Sequence, residues 1–337
     1  MIPAREVRFR YTFGLGGLTL FLFLSLVVTG ALELFYYEPS LERANASVQA
    51  LTHLVPYGWL VRGLHYWAGQ ALVVTTGLHL VRVVLTGAYK QPRRFNWLLG
   101  VSLLVAVLLL NFTGLVLRWH NDIAWALTVG TNLLRAVPLV GETLYVLAVG
   151  GTEIGSATVV RFFGWHIFGL ALPATVVVAW HLFRVRRDGG ISHIQTSASP
   201  SGSEASSSIS MERVPRRELV QREVLAALIA SCLLMALVIF FPPRVSSPAD
   251  FSNLPPDATA PWFFIWVQQL LRLGDAFLMG VMIPAGLLTL LALVPYLLDT
   301  RSEGVGCWFN REGPWAQIVI LGMSGLVLGL ILKGAFL

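Results

Sequence analysis

Residues 62–82 read "RGLHYWAGQALVVTTGLHLVR". Two histidines, His65 and His79, stand fourteen residues apart, with no charge between them. Arg62 lies three residues before the first and Arg82 three after the second. An α-helix advances about 1.5 Å and about 100° per residue, so this interval gives about 21 Å and a rotation about 40° short of four turns. The two imidazoles therefore share one helix face. The whole stretch is about as long as the hydrocarbon core of a bilayer is thick.

The rest of the chain fits that setting. Of 337 residues, 55% are hydrophobic and only 12% charged, and the mean hydropathy is +0.70. A soluble chain carries about twice that charge. Apolar runs long enough to span recur seven times, at about 14–36, 64–86, 97–117, 160–184, 224–242, 274–297 and 315–335. Each is expected to be helical, because lipid offers the backbone no hydrogen-bond partner. The first run follows Arg5, Arg8 and Arg10 but is too long for a signal peptide, and no small-residue cleavage site follows it. It is expected to remain as a span.

An N-terminus in the cytoplasm puts sixteen of the 24 lysines and arginines on the cytoplasmic side. That bias is the usual orientation signal. It also accounts for the net charge of +6 without a nucleic-acid partner. The two cysteines, Cys232 and Cys307, form no CxxC. Cys232 reads as a small buried apolar residue and Cys307 as a free thiol in a loop.

One seam divides the chain. "SPSGSEASSSISMERVPRRE", residues 199–218, is serine-rich and then charged, a linker composition. The expected parts are a four-helix portion over 1–187, a flexible stretch over 188–222 and a three-helix portion over 223–337. Two further segments are too patterned for plain loops. Residues 121–151 are amphipathic and broken at Pro138 and Gly141, which predicts two short surface helices. Residues 243–272 are proline-rich and then aromatic. Both face the external side in this topology.

The fourth span, "RFFGWHIFGLALPATVVVAWHLFRVR", carries His166 and His181 fifteen residues apart. The second and fourth spans run parallel. His65 therefore pairs with His166 near the outside, and His79 with His181 near the cytoplasm. Two imidazoles facing each other suit the two axial positions of a haem iron. Zinc would need further ligands converging tetrahedrally, and no acid or cysteine stands at the right height. Gly16 and Gly30 in the first span, and Gly100 and Gly114 in the third, repeat the fourteen-residue interval. Glycine there would let a backbone approach a flat group closely. Arg62 and Arg82 could reach haem propionates at the two membrane edges, being helix-surface neighbours of His65 and His79.

These residues resemble cytochrome b of the quinol-oxidising cytochrome bc complexes. The four histidines, the four glycines, Arg62 and Arg82 fit that pattern. "TGLVLRWHNDIAWALTVGTNLLRAVPLVG" is similar to the family's loop after the third helix, and "GGTEIGSATVVRFFGWH" to its approach to the fourth. Seven spans and the fifteen-residue interval look like the plastid and bacterial branch, with its haem subunit and three-helix subunit here fused. The resemblance implies an all-α membrane protein of a bacterial inner membrane, a four-helix dihaem bundle followed by a three-helix domain. It implies two b-type haems, quinol oxidation outside and quinone reduction near the cytoplasm. It also implies a Rieske iron–sulfur protein and a c-type cytochrome as partners, proton translocation, and a homodimer.

Three positions depart from the family. Its Pro-Glu-Trp-Tyr motif corresponds to "APWF", residues 260–263, with Pro261 in the glutamate's place. Trp262 and Phe263 could still line a quinol ring, while Asp257, Glu142 and Glu153 are the acids in the external loops. The cysteine that attaches an extra haem in the plastid branch corresponds to Gly14, so no covalent haem is expected. Pro173, seven residues after His166, is later than the family places it. Arg186, Asp188 and His193 follow the fourth span and are candidates for an inner quinone site. The lost glutamate keeps a second class open, a dihaem membrane anchor that links another oxidoreductase to the quinone pool. A cofactor-free transporter is the third class, and the histidine geometry argues against it.

Overall fold

The computed structural model describes residues 2–3, 12–190, 213–252 and 259–336. Arg5, Arg8, Arg10, His193 and Asp257 lie outside them. Among the described residues seven helices are long and apolar enough to cross a membrane. They are α1 (Leu15–Glu33), α3 (Gly58–Leu85), α4 (Arg94–Leu117), α7 (Ser156–Arg187), α8 (Arg216–Phe240), α10 (Leu278–Leu298) and α11 (Pro314–Phe336). Four short helices complete the set: α2 (Ala44–His53), α5 (Asn121–Arg135), α6 (Gly141–Val149) and α9 (Ile265–Leu271). Helices α5 and α6 are the expected surface pair, separated by Pro138. Helix α2 was not expected.

Helix α3 is the axis of the bundle. Of its most apolar window, 44% is buried inside the protein, against 6% for α11. It packs along α1, α4, α8 and α11, and α4 in turn packs against α7. The remaining helix surfaces are apolar and exposed, as lipid-facing surfaces are. Cys232 belongs there: it is exposed on α8, which corrects the expectation of burial. In a membrane span a small apolar side chain gains as much against lipid as against protein.

Helix α7 is not α-helical throughout. Residues Trp165–Ala171 form a π-helical turn just before Pro173. Proline has no N–H and its ring crowds the carbonyl four residues back. A π turn carries one extra residue past that point. The fifteen-residue interval from His166 to His181 is thereby reduced in rotation to nearly the fourteen-residue interval of α3. The same device precedes Pro284 in α10, where Leu278–Met282 is π-helical.

The two halves of the chain share cores. One cluster holds Leu22, Phe23, Ala68, Leu72, Val107 and Ala174 with Leu234 and Phe263. Another sets Leu80, Val84, Tyr89, Trp97 and Val101 against Leu291, Val294, Ala316 and Ile320. Polar ties reinforce the second. Lys90 Nζ lies 3.0 Å from Asp299 Oδ2, both side chains buried, and Tyr89 donates to the same oxygen at 2.5 Å. Burial and the Asp299 carboxylate push the Tyr89 phenol above its usual range. At the other end residues 241–249 cross the bundle as a strap. Arg62 donates to the carbonyls of Pro243 and Arg244 at 3.1 and 3.0 Å, and Trp67 to that of Phe241 at 2.9 Å. His120 and Pro248 form a single β-bridge.

Candidate functional site

The four histidines stand at two levels of the bundle, each level opposed by a glycine. A methyl group built on Gly30 lies 3.0 Å from His65 Cε1, and one on Gly114 lies 3.1 Å from His166 Cε1. At the other level a methyl group built on Gly16 lies 3.3 Å from His79 Cε1, and one on Gly100 lies 3.6 Å from His181 Cε1. Helix α1 thus backs the α3 histidines, and α4 backs those of α7. His65 lies close enough to His166, and His181 to His79, to be felt electrostatically. The bundle thus brings His65 near His166 and His79 near His181.

Hydrogen bonds fix how the pair near the surface helices presents itself. Thr29 Oγ1 gives its hydrogen to the Ser25 carbonyl at 2.7 Å. Its oxygen then accepts from His65 Nδ1 at 2.9 Å. Thr113 does the same, donating to the Leu109 carbonyl at 2.9 Å and accepting from His166 Nδ1 at 2.8 Å. Each Nδ1 carries the proton, so each Nε2 keeps a lone pair for a metal. The other pair has no such support. His79 Nδ1 is buried without a partner, and His181 Nδ1 only approaches the Asn96 carbonyl. Residues of this kind fit a haem: neutral imidazoles in facing pairs, with glycine where the neighbouring helix comes close.

The arginines differ. Arg62 and Arg82 are both buried. Arg62 is held by the strap carbonyls and lies within electrostatic reach of the Glu33 carboxylate. Arg82 lies in the last turn of α3, near enough to His79 to act on it electrostatically.

The aromatic segment enters the bundle. Pro261 leads into a 3-10 turn over Trp262–Phe264, and its carbonyl accepts the Phe264 N–H at 2.7 Å. Phe263 is buried in the central core, while Trp262 is partly exposed and donates to Gln70 Oε1 at 2.7 Å. Gln70 Nε2 donates in turn to Asn111 Oδ1 at 3.4 Å. Glu142 is tied to Arg135 on an exposed surface, at 3.0 Å. That contact keeps the Arg135 guanidinium above its usual value. Asp188 is buried between Arg184 at 3.0 Å and Arg187 at 3.1 Å, and Arg186 is exposed.

Sequence reasoning missed Thr29, Thr113 and Gln70. A signal for the threonines was present: Thr-Gly occurs at 29–30 and 113–114, and Leu-Gly at 15–16 and 99–100.

Known proteins bear on these residues. A family profile described as "Cytochrome b/b6/petB" matches residues 4–189. Cytochrome b6 of Synechocystis sp. is 38% identical over 175 residues, covering 52% of this chain and 79% of that protein. Cytochrome b6 of Stigeoclonium helveticum is 39% identical over 175 residues, covering 52% and 81%. A solved structure titled "Hyperthermophilic respiratory Complex III" has the same fold, with a TM-score of 0.76 and 22% identity, covering 96% of this chain and 90% of that one. The chain belongs to the cytochrome b/b6 family, the haem-binding electron carriers at the membrane core of bc-type complexes.

Proposed function

We propose that the chain is the dihaem core of a quinol–cytochrome c oxidoreductase, with one non-covalent b-type haem between His65 and His166 and a second between His79 and His181. The observation that carries this is the four histidine–glycine contacts at two levels. Each haem, when bound, supplies a one-electron carrier. Thr29 and Thr113 hold the upper imidazoles with Nε2 free, and the four glycines leave room for a planar group beside α1 and α4. The helical interval puts the two levels about 21 Å apart along the bundle.

Quinol is oxidised at the surface-helix end, which faces outward across a bacterial inner membrane, with the N-terminus in the cytoplasm. Trp262 lines its ring, while Phe263, buried in the central core, anchors the segment that carries it. Asp257 and Glu142 are the acids proposed to accept its protons, Glu142 by exchanging its Arg135 ion pair. One electron leaves to a Rieske iron–sulfur protein and a c-type cytochrome. The other passes inward to a quinone site near Arg186, Asp188 and His193, where protons are taken up. The working unit is a homodimer in a larger complex. Pro261, in place of an acid, favours the second reading of a dihaem anchor for another oxidoreductase.

Purified protein tests both. Two haems per chain in a reduced-minus-oxidised spectrum, with quinol-dependent reduction of cytochrome c by a co-purifying Rieske complex, is the expected result. One haem or none would overturn the dihaem assignment. Two haems without a Rieske partner would select the anchor.

A further inference from the structure

Beneath the strap lies a cavity of about 590 Å3, lined among others by Tyr66, Trp67, Arg118, His120, Asp122 and Arg244. Two arginines and a histidine face it against a single acid. That acid is largely exposed: Asp122 Oδ2 accepts from Ser246 at 3.0 Å and lies 4.0 Å from His120 Nδ1. Arg118 has no carboxylate within 4.0 Å among the described residues, and its Nε is buried without a hydrogen-bond partner. Its guanidinium lies 5.5 Å from the Tyr66 ring centroid. His120 is 3% exposed, and its Nδ1 is buried with no hydrogen-bond partner and with Asp122 4.0 Å away. Burial pushes Arg118 down to about 10 and His120 down to about 4, and the exposed Asp122 carboxylate offsets neither shift fully.

A buried cation without a counter-charge is costly, and so is a buried polar atom without a partner. Both are relieved by one oxyanion in the cavity. Arg118 follows Gly114 by one helical turn, and Gly114 abuts His166. Tyr66 follows His65 directly. The unpaired guanidinium thus stands about one turn outside the upper histidine pair. Arg62, expected from spacing to serve here, is already committed to the strap carbonyls.

We propose that this cavity is a carboxylate-binding site that takes a propionate of the haem held by His65 and His166, with Arg118 as its charge partner and His120 as a second polar contact. This rests on the dihaem assignment above. Arg62 then positions the strap that closes the site.

The test uses the intact haem-loaded protein and the variants Arg118→Leu and Arg118→Lys, read by redox titration of both haems and by mass spectrometry of bound lipid. Removing a cation beside a haem favours its oxidised form. The leucine variant is therefore expected to lower one midpoint potential, leave the other unchanged and keep both haems bis-histidine in the spectrum, with lysine restoring the lost part. If the leucine variant loses the upper haem alone, restoration by lysine supports the charge role, and failure of lysine to restore it overturns it. Unchanged potentials in the leucine variant overturn the proposal. If anionic phospholipid is lost with potentials unchanged, the cavity holds a lipid headgroup instead. Should the leucine variant fail to accumulate, Arg118→Gln reads the same two potentials. A parent protein without two haems would fail the dihaem assignment itself, a separate outcome.

Discussion

The two histidine levels differ in their support. At the surface-helix end, threonines lock both imidazoles, and a methyl group on either glycine would stand 3.0 or 3.1 Å from a ring. At the linker end neither Nδ1 has a threonine, and a methyl group on either glycine would stand 3.3 or 3.6 Å from a ring. A ligand whose N–H donates to an oxygen is more electron-rich and favours the oxidised metal. The locked level should hold the lower-potential haem and the looser level the higher. With both haems bound, an electron delivered at the surface-helix end would then move downhill toward the linker end.

The strongest way to break that comparison is to remove a ligand. His166→Ala should abolish the upper haem and leave His79/His181 loaded, halving the reduced-minus-oxidised absorbance. Retention of both haems would refute the pairing. Glycine substitutions come next. Gly114→Ala places a methyl 3.1 Å from His166, whereas Gly100→Ala meets His181 at 3.6 Å, ordinary contact. Haem content should fall in the first and hold in the second, and equal loss would erase the difference between the levels. Thr113→Val is subtler. Loss of an outer partner to a metal-ligating histidine costs about 10–100-fold in affinity. The upper haem should become easier to lose to apomyoglobin and its potential should rise, while the lower haem is unaffected.

The smallest effect concerns acid. His120 is pushed down to about 4, mainly by burial, so in the fold it stays neutral where an unfolded imidazole, near about 6.5, is already protonated. Its contribution to stability is complete above about 6.5 and is lost as pH falls from there toward 4. Thermal unfolding at pH 7.5 and 5 should show a loss that His120→Gln reduces. An identical loss in the variant would assign it to other groups.

Much of this was legible because a helix converts spacing into faces. His65/His79, His166/His181 and the glycine pairs needed only the helical period. The remainder depends on contacts between distant residues or on departures from that period. The strap pairs His120 with Pro248 through backbone atoms, which side-chain patterns do not record. The π turn was marked by Pro173 and by an interval one residue too long, signs that read as irregularity until the turn is seen. Cys232 was misplaced because a burial scale for water-soluble proteins says nothing of lipid. Trp262 and Phe263 part company, one toward Gln70 and one into the core, through a turn that sequence does not specify.

The Lys90–Asp299 pair has a consequence for how the polypeptide can be divided. A buried ion pair that loses one member costs about 3–5 kcal/mol. Here the two members come from opposite halves, alongside two shared cores. The peptide joining the halves raises their local concentration, as any tether does, but the recognition lies in the surfaces themselves. Two separately translated fragments, cut between 191 and 212, should therefore find each other in the membrane and reassemble, and Lys90→Met should impair that complementation far more than it impairs the uncut chain.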